Sequence, residues 1–205
     1  MALLRFTATV GGYTLLSRIL GFVRDVAIAH FVAAGPVADA FFVAFRFPNM
    51  FRRLVGEGAF ANAFVPLFAR RLEGAGRAGA LAFAEQALAV MLAAMFVLLL
   101  AAELAMPWLI SVLAPGFAAD PERFALTVEL TRITFPYLLF MALVALLGAV
   151  LNALLRFAAA AATPILLNIV LIAALFGLGH VLETPGHALA WGVAAAGAGQ
   201  FLFML

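Results

Sequence analysis

Six stretches of this 205-residue chain qualify, if charges inside the first two are tolerated, as apolar over the roughly 20 residues that a helix needs to cross a bilayer. They run approximately over residues 6–31, 37–68, 80–110, 124–155, 157–178 and 188–205. The expected fold is therefore all-α: a polytopic transmembrane helix bundle of about six spans. Composition agrees, since 67% hydrophobic residues, 11% charged residues and a mean hydropathy of +1.18 leave more apolar surface than a soluble core of this length can hide.

The connectors carry turn and breaker residues: "AAGP" at 33–36, "EGAGRAG" at 73–79, "APGFAADPE" at 114–122 and "ETPGH" at 183–187. Pro48, Pro136 and Pro164 fall inside spans and are expected to kink them, which neighbouring helices can accommodate. The second segment is too long for one straight crossing, so a break or re-entrant bend is expected within "PNMFRRLVGEG". A cleaved leader is not expected, because Gly11, Gly12, Tyr13 and Thr14 interrupt the first apolar stretch and no small-residue cleavage pattern closes it. The last residues, "QFLFML", end within an apolar run, and the expectation is a longer protein.

Arginines orient the bundle. With the N-terminus in the cytoplasm, Arg5, Arg70, Arg71, Arg77 and Arg156 lie on that side and Arg123 on the other, as the positive-inside rule requires. Nine of the twelve arginines precede residue 80 against four acids, net +5, while the remainder of the chain is net −3. Cysteine is absent, and three scattered histidines give no ligand spacing, so no metal or cofactor is expected. No nucleotide loop or nucleophile–base arrangement speaks for an enzyme, and nothing points to nucleic acid.

The first two spans contain Arg18, Arg24, Asp25, Asp39, Arg46, Arg52, Arg53 and Glu57. Each charge at the bilayer centre costs about 2.5–3.5 kcal/mol on insertion scales, so these groups must face water, partners or a ligand. Spacing suggests shared faces: Arg18 and Asp25 are seven apart, as are Ser17 and Arg24, and Asp39, Arg46 and Arg53 form a seven-residue series with Asn49 between the last two. One reading pairs arginine with aspartate, as in Arg18–Asp25, or lets the longer side chains snorkel. It leaves five cations against three anions. The surplus asks for an anion, and guanidinium groups converging on one cavity describe a phosphate or pyrophosphate site. Elsewhere, small residues in "GVAAAGAG" at 192–199 suggest close helix packing, and Asn152, Asn168 and Gln200 suggest hydrogen bonds between helices.

"SRILGFVRD" in the first span, "ADAFFVAFRFPNMFRRLVGEGAFANAFVPLFA" through the second, "APGF" after the third and "ITFPYLLF" in the fourth closely resemble the MurJ/MviN family of bacterial lipid II flippases. That family belongs to the multidrug/oligosaccharidyl-lipid/polysaccharide exporter superfamily. The resemblance implies one lobe, the N-terminal one, of a two-lobed exporter that moves undecaprenyl-pyrophosphate-linked precursor from the cytoplasmic to the periplasmic leaflet by alternating access. It implies lipid II, membrane lipids and a C-terminal lobe of the same protein as partners, in a bacterial inner membrane. By motif, Arg18, Arg24 and Arg52 correspond to cavity arginines that hold the pyrophosphate. Arg53 and Glu57 correspond to positions tied to function, Asp39 to an acid of gating or helix contact, and Ser17, Asp25 and Asn49 line the same stretch. Two rivals remain: a cation-coupled drug or metabolite antiporter, which would need an acid-dominated cavity, and a non-transporting scaffold that binds lipid-linked precursors.

Overall fold

The computed structural model describes the backbone of residues 2–56 and 59–205, with side chains for residues 10–50, 60 and 62–205. Among these residues all regular structure is helical: α1 (Ala2–Val32), α2 (Pro36–Gly56), α3 (Ala59–Leu113), a 3-10 turn (Pro115–Ala119), α4 (Pro121–Thr134), α5 (Tyr137–Ala153), α6 (Phe157–Leu178) and α7 (Pro185–Met204). Three stretches, Asn62–Leu113, Pro121–Ala153 and Phe157–Leu178, are long and apolar enough to cross a membrane.

Segment boundaries differ from the sequence reading in one place. The second segment, read as 37–68, is helical up to Gly56 in α2 and from Ala59 in α3; no break falls within "PNMFRRLVG", and the remainder of the expected break lies outside the described residues. The connector read at 73–79 is shorter than its composition suggested. Helical geometry reaches Gly76 from both sides, and this one residue, at φ 67° and ψ −173°, takes a conformation that glycine adopts without strain. The chain reverses there. Phe64 and Phe83 stack with ring centroids 5.5 Å apart, whereas 19 residues of straight helix would separate them by about 28 Å. The fourth segment is interrupted at Phe135 and Pro136, as the proline predicted, and α6 coincides with the fifth.

α7 is the centre of the bundle, packing on α6, α5, α4 and α2. Ala188, Leu189, Ala190, Val193 and Ala196 are completely buried on it. Its glycines set the distances: a Cβ on Gly192 would lie 2.8 Å from the Ala174 methyl, and one on Gly197 would lie 2.8 Å from the Tyr137 ring. The small-residue run thus packs helices closely. A central cluster joins Ala27 and Ile28 of α1 to Phe41, Leu130, Tyr137, Leu171 and Leu189. A second, Phe64, Phe68, Ala80, Leu146 and Val150, clamps the Gly76 reversal to the C-terminal part of α5.

Proline residues inside these helices remove the donor that the carbonyl four residues earlier requires. Three such carbonyls are met by side chains. Pro48 orphans the Ala44 carbonyl, which accepts from the Thr134 hydroxyl of α4 at 3.3 Å. Pro107 orphans that of Glu103, which accepts from Arg132 Nη2, also of α4, at 3.5 Å. Pro164 orphans that of Ala160, which accepts from Thr163 Oγ1 at 2.7 Å. In hydrocarbon, where no water can substitute, these donors make the prolines tolerable.

Candidate functional site

Arg24, one of the candidate cavity arginines, is held on α1 by three side-chain hydrogen bonds. Its Nε and Nη2 both donate to Asp25 Oδ1, at 3.0 and 2.7 Å, and its Nη1 donates to Asn168 Oδ1 of α6 at 2.8 Å. The same amide turns its Nδ2 back to the Ser17 carbonyl at 3.0 Å. Asn168 therefore clasps two turns of α1, one end of its side chain on the guanidinium and the other on the backbone. The amide passes close to Gly21, where a Cβ would make an ordinary contact with Asn168 Nδ2 at 3.7 Å. The Arg24 side chain is 22% exposed while its carboxylate partner is 64% exposed, so the ion pair sits at the edge of the exposed surface.

Two further charged contacts lie at opposite ends of the bundle. Asp39, in the first turn of α2, pairs with Arg123 Nη2 at the start of α4, and that guanidinium lies 4.0 Å above the Phe117 ring. Asp25 and Asp39 line one cleft of 570 Å³ between the end of α1 and the start of α2. Arg71, near the Gly76 reversal at the other end, lies 5.5 Å over the Phe83 ring.

The sequence reading is corrected on one pairing. Asp25 meets Arg24, its neighbour, and not Arg18, because seven residues span about 10.5 Å along the helix while an adjacent guanidinium folds back onto the carboxylate. Arg18 and Arg46 are exposed, with no ion-pair partner among the described residues. Ser17 contributes its carbonyl, and Asn49 is half-buried in α2. The side chains of Arg52 and Arg53, and Glu57 altogether, lie outside the described residues. Sequence reasoning placed Asn168 among residues that hydrogen-bond across helices, as it does, but gave no sign of its bond to Arg24. The Asp39–Arg123 pair was not foreseen, since 84 residues separate its members.

A family model described as Lipid II flippase MurJ matches residues 28–205. The chain belongs to the MurJ lipid II flippase family. A probable lipid II flippase MurJ of Rhizobium meliloti (strain 1021) is 48% identical over 201 residues, covering 96% of this chain and 38% of that protein. A lipid II flippase MurJ of Burkholderia cenocepacia is 40% identical over 205 residues, covering all of this chain and 40% of that one. Among solved structures, a lipid II flippase MurJ in an inward closed conformation superposes with a TM-score of 0.73 at 27% identity, over 95% of this chain and 41% of the other. The chain spans about two fifths of the length of the MurJ relatives it matches. The resemblance carried by the motifs and the all-helical, membrane-type fold are both borne out.

Proposed function

We propose that this chain is the N-terminal lobe of a flippase that carries lipid II, the undecaprenyl-pyrophosphate-linked cell-wall precursor, from the cytoplasmic to the periplasmic leaflet of a bacterial inner membrane. The family match over residues 28–205 carries the reading. Arg18, Arg24 and Arg52 form the anion clamp, with Arg53, Asn49 and Ser17 beside them, and Asp25, Asp39 and Glu57 act as ion-pair or gating partners. Guanidinium groups suit this task because they stay charged and bind phosphate oxygens in bidentate fashion. The exposed carboxylate on Arg24 is a placeholder: a diphosphate with two or more negative charges displaces a single aspartate, and Asn168 keeps the guanidinium aimed meanwhile. The N-terminus lies in the cytoplasm. Rocking of this lobe against the C-terminal lobe re-exposes the headgroup on the other face, with no chemistry on the substrate.

Proteoliposomes holding the full-length protein and labelled lipid II test this. Transfer of label between leaflets is expected; binding without transfer would make the protein a scaffold, and indifference to lipid II would remove the substrate. In cells, Arg24→Ala or Arg52→Ala in the full-length protein is expected to abolish growth support with membrane insertion intact. Normal growth with both replaced would overturn the clamp.

A further inference from the structure

At the end of the bundle opposite Gly76, three side chains from separate elements meet. Glu129 comes from α4, Glu183 from the turn after α6 and His187 from the first turn of α7. One oxygen of each carboxylate and one ring nitrogen of the histidine lie within 4.8 Å of one another. The His187 side chain is only 8% exposed, and its Nε2 faces Glu129 Oε1 at 3.3 Å and Glu183 Oε2 at 4.0 Å. Yet this buried nitrogen makes no hydrogen bond. The other ring nitrogen, Nδ1, lies 2.9 Å from Thr184 Oγ1, the oxygen that also caps α7 by accepting from the His187 backbone N–H. Thr184 thus holds the ring by Nδ1 and leaves the unbonded Nε2 facing the two carboxylates. Neutral imidazole in that position offers a lone pair beside two carboxylate oxygens, a set that a cation between them would satisfy.

We propose that Glu129, Glu183 and His187 form a binding site for a first-row divalent cation of the zinc class. One imidazole and two carboxylates are a zinc-type donor set, and ligands at about 2.0–2.2 Å in tetrahedral array stand roughly 3.3 Å apart, the separation of Nε2 from Glu129 Oε1. The carboxylate of Glu183, 84% exposed, is free to rotate inward from 4.0 Å. A further position opens on a cavity of 780 Å³ lined also by Phe124, Arg132 and Trp191. Arg132 does not occupy the site: its Nε lies 3.9 Å from Glu103 Oε2 and its Nη2 is donated to the Glu103 carbonyl. Thr184 is the outer partner that fixes the ring, as metal-bound histidines require. A bound ion ties α4 to the α6–α7 turn and to the first turn of α7.

The test uses the purified full chain in detergent, without a polyhistidine tag, titrated with ZnCl2 in competition with a chromophoric chelator and separately with CoCl2. One ion per chain is expected, with visible d–d bands for cobalt. Glu129→Gln with Glu183→Gln, both at exposed positions, is expected to leave the helical circular dichroism unchanged and to weaken binding at least tenfold, and Thr184→Val to weaken it roughly tenfold. Failure to retain a stoichiometric ion, or binding of equal strength in the double variant, would overturn the proposal.

Discussion

Thr134 shows how much one hydroxyl does in this fold. It is completely buried and shared between the Thr131 carbonyl of its own helix at 3.1 Å and the Ala44 carbonyl of α2 at 3.3 Å. Thr134→Val keeps the shape and removes the donor, stranding the carbonyl that Pro48 already deprived. The expected cost is about 1–3 kcal/mol, the desolvation penalty of an unmet buried acceptor, read as a lower melting temperature in detergent. Pro48→Ala returns an intrahelical N–H to the same carbonyl, so the valine substitution is expected to cost less in that background. Equal losses in both would show that the hydroxyl does not serve this carbonyl. None of this was legible in the sequence, where Pro48 reads as a kink, because nothing local tells which carbonyl a distant hydroxyl will reach. The charged residues fared similarly. Arg24 was singled out by its place in hydrocarbon, but Asp25 was paired with Arg18 by a rule of shared faces that ignores the rise along the helix, whereas its carboxylate lies on Arg24.

Elements were easier to read than contacts, because the bilayer imposes its demand residue by residue along each span. α6 was delimited by apolar length and its flanking breakers alone. The Gly76 reversal was harder, since "EGAGRAG" signals a long loop by composition while alanine and arginine continue the helix almost to the turning point. Close packing of α7 was legible from its small residues, though not which glycine matters. Gly197 and Gly199 are indistinguishable by type, yet a Cβ on the first meets the Tyr137 ring at 2.8 Å and the Phe140 Cβ at 3.2 Å, and on the second meets nothing within 4 Å. Gly197→Ala is expected to destabilise by about 1–3 kcal/mol through overpacking. Gly199→Ala is expected to be neutral or stabilising by up to about 1 kcal/mol, since alanine is the better helix former. Thermal melting followed by tryptophan fluorescence separates them, and a Gly197→Ala melting temperature at or above that of Gly199→Ala would contradict the tight approach.

At the scale of the molecule, two arginine-bearing turns lie together. The Gly76 reversal and the α5–α6 turn, with Arg70, Arg71, Arg77 and Arg156 on or beside them, share one end through the cluster of Phe64, Phe68, Ala149 and Leu154. Asp39, Arg123 and Glu183 mark the other. A chain without cysteine allows this polarity to be tested on a clean background. With Ala119→Cys and Ala78→Cys introduced singly at exposed positions, a membrane-impermeant maleimide applied to spheroplasts is expected to label the first and to reach the second only after permeabilisation. The reverse pattern would invert the bundle and move the arginine-rich turns to the periplasm.

The carbonyls left open by Pro48 and Pro107 have a mechanical consequence. Both are held by α4, one through Thr134 and one through Arg132. Parting α2 or α3 from α4 would abandon a peptide oxygen to lipid, at a cost of several kcal/mol. These three helices are therefore splinted and must travel together. α1 leans chiefly on α6, with Leu15, Ile19, Phe22 and Val26 turned outward, so a swinging motion within the lobe is cheapest along the seam where Asn168 is the latch.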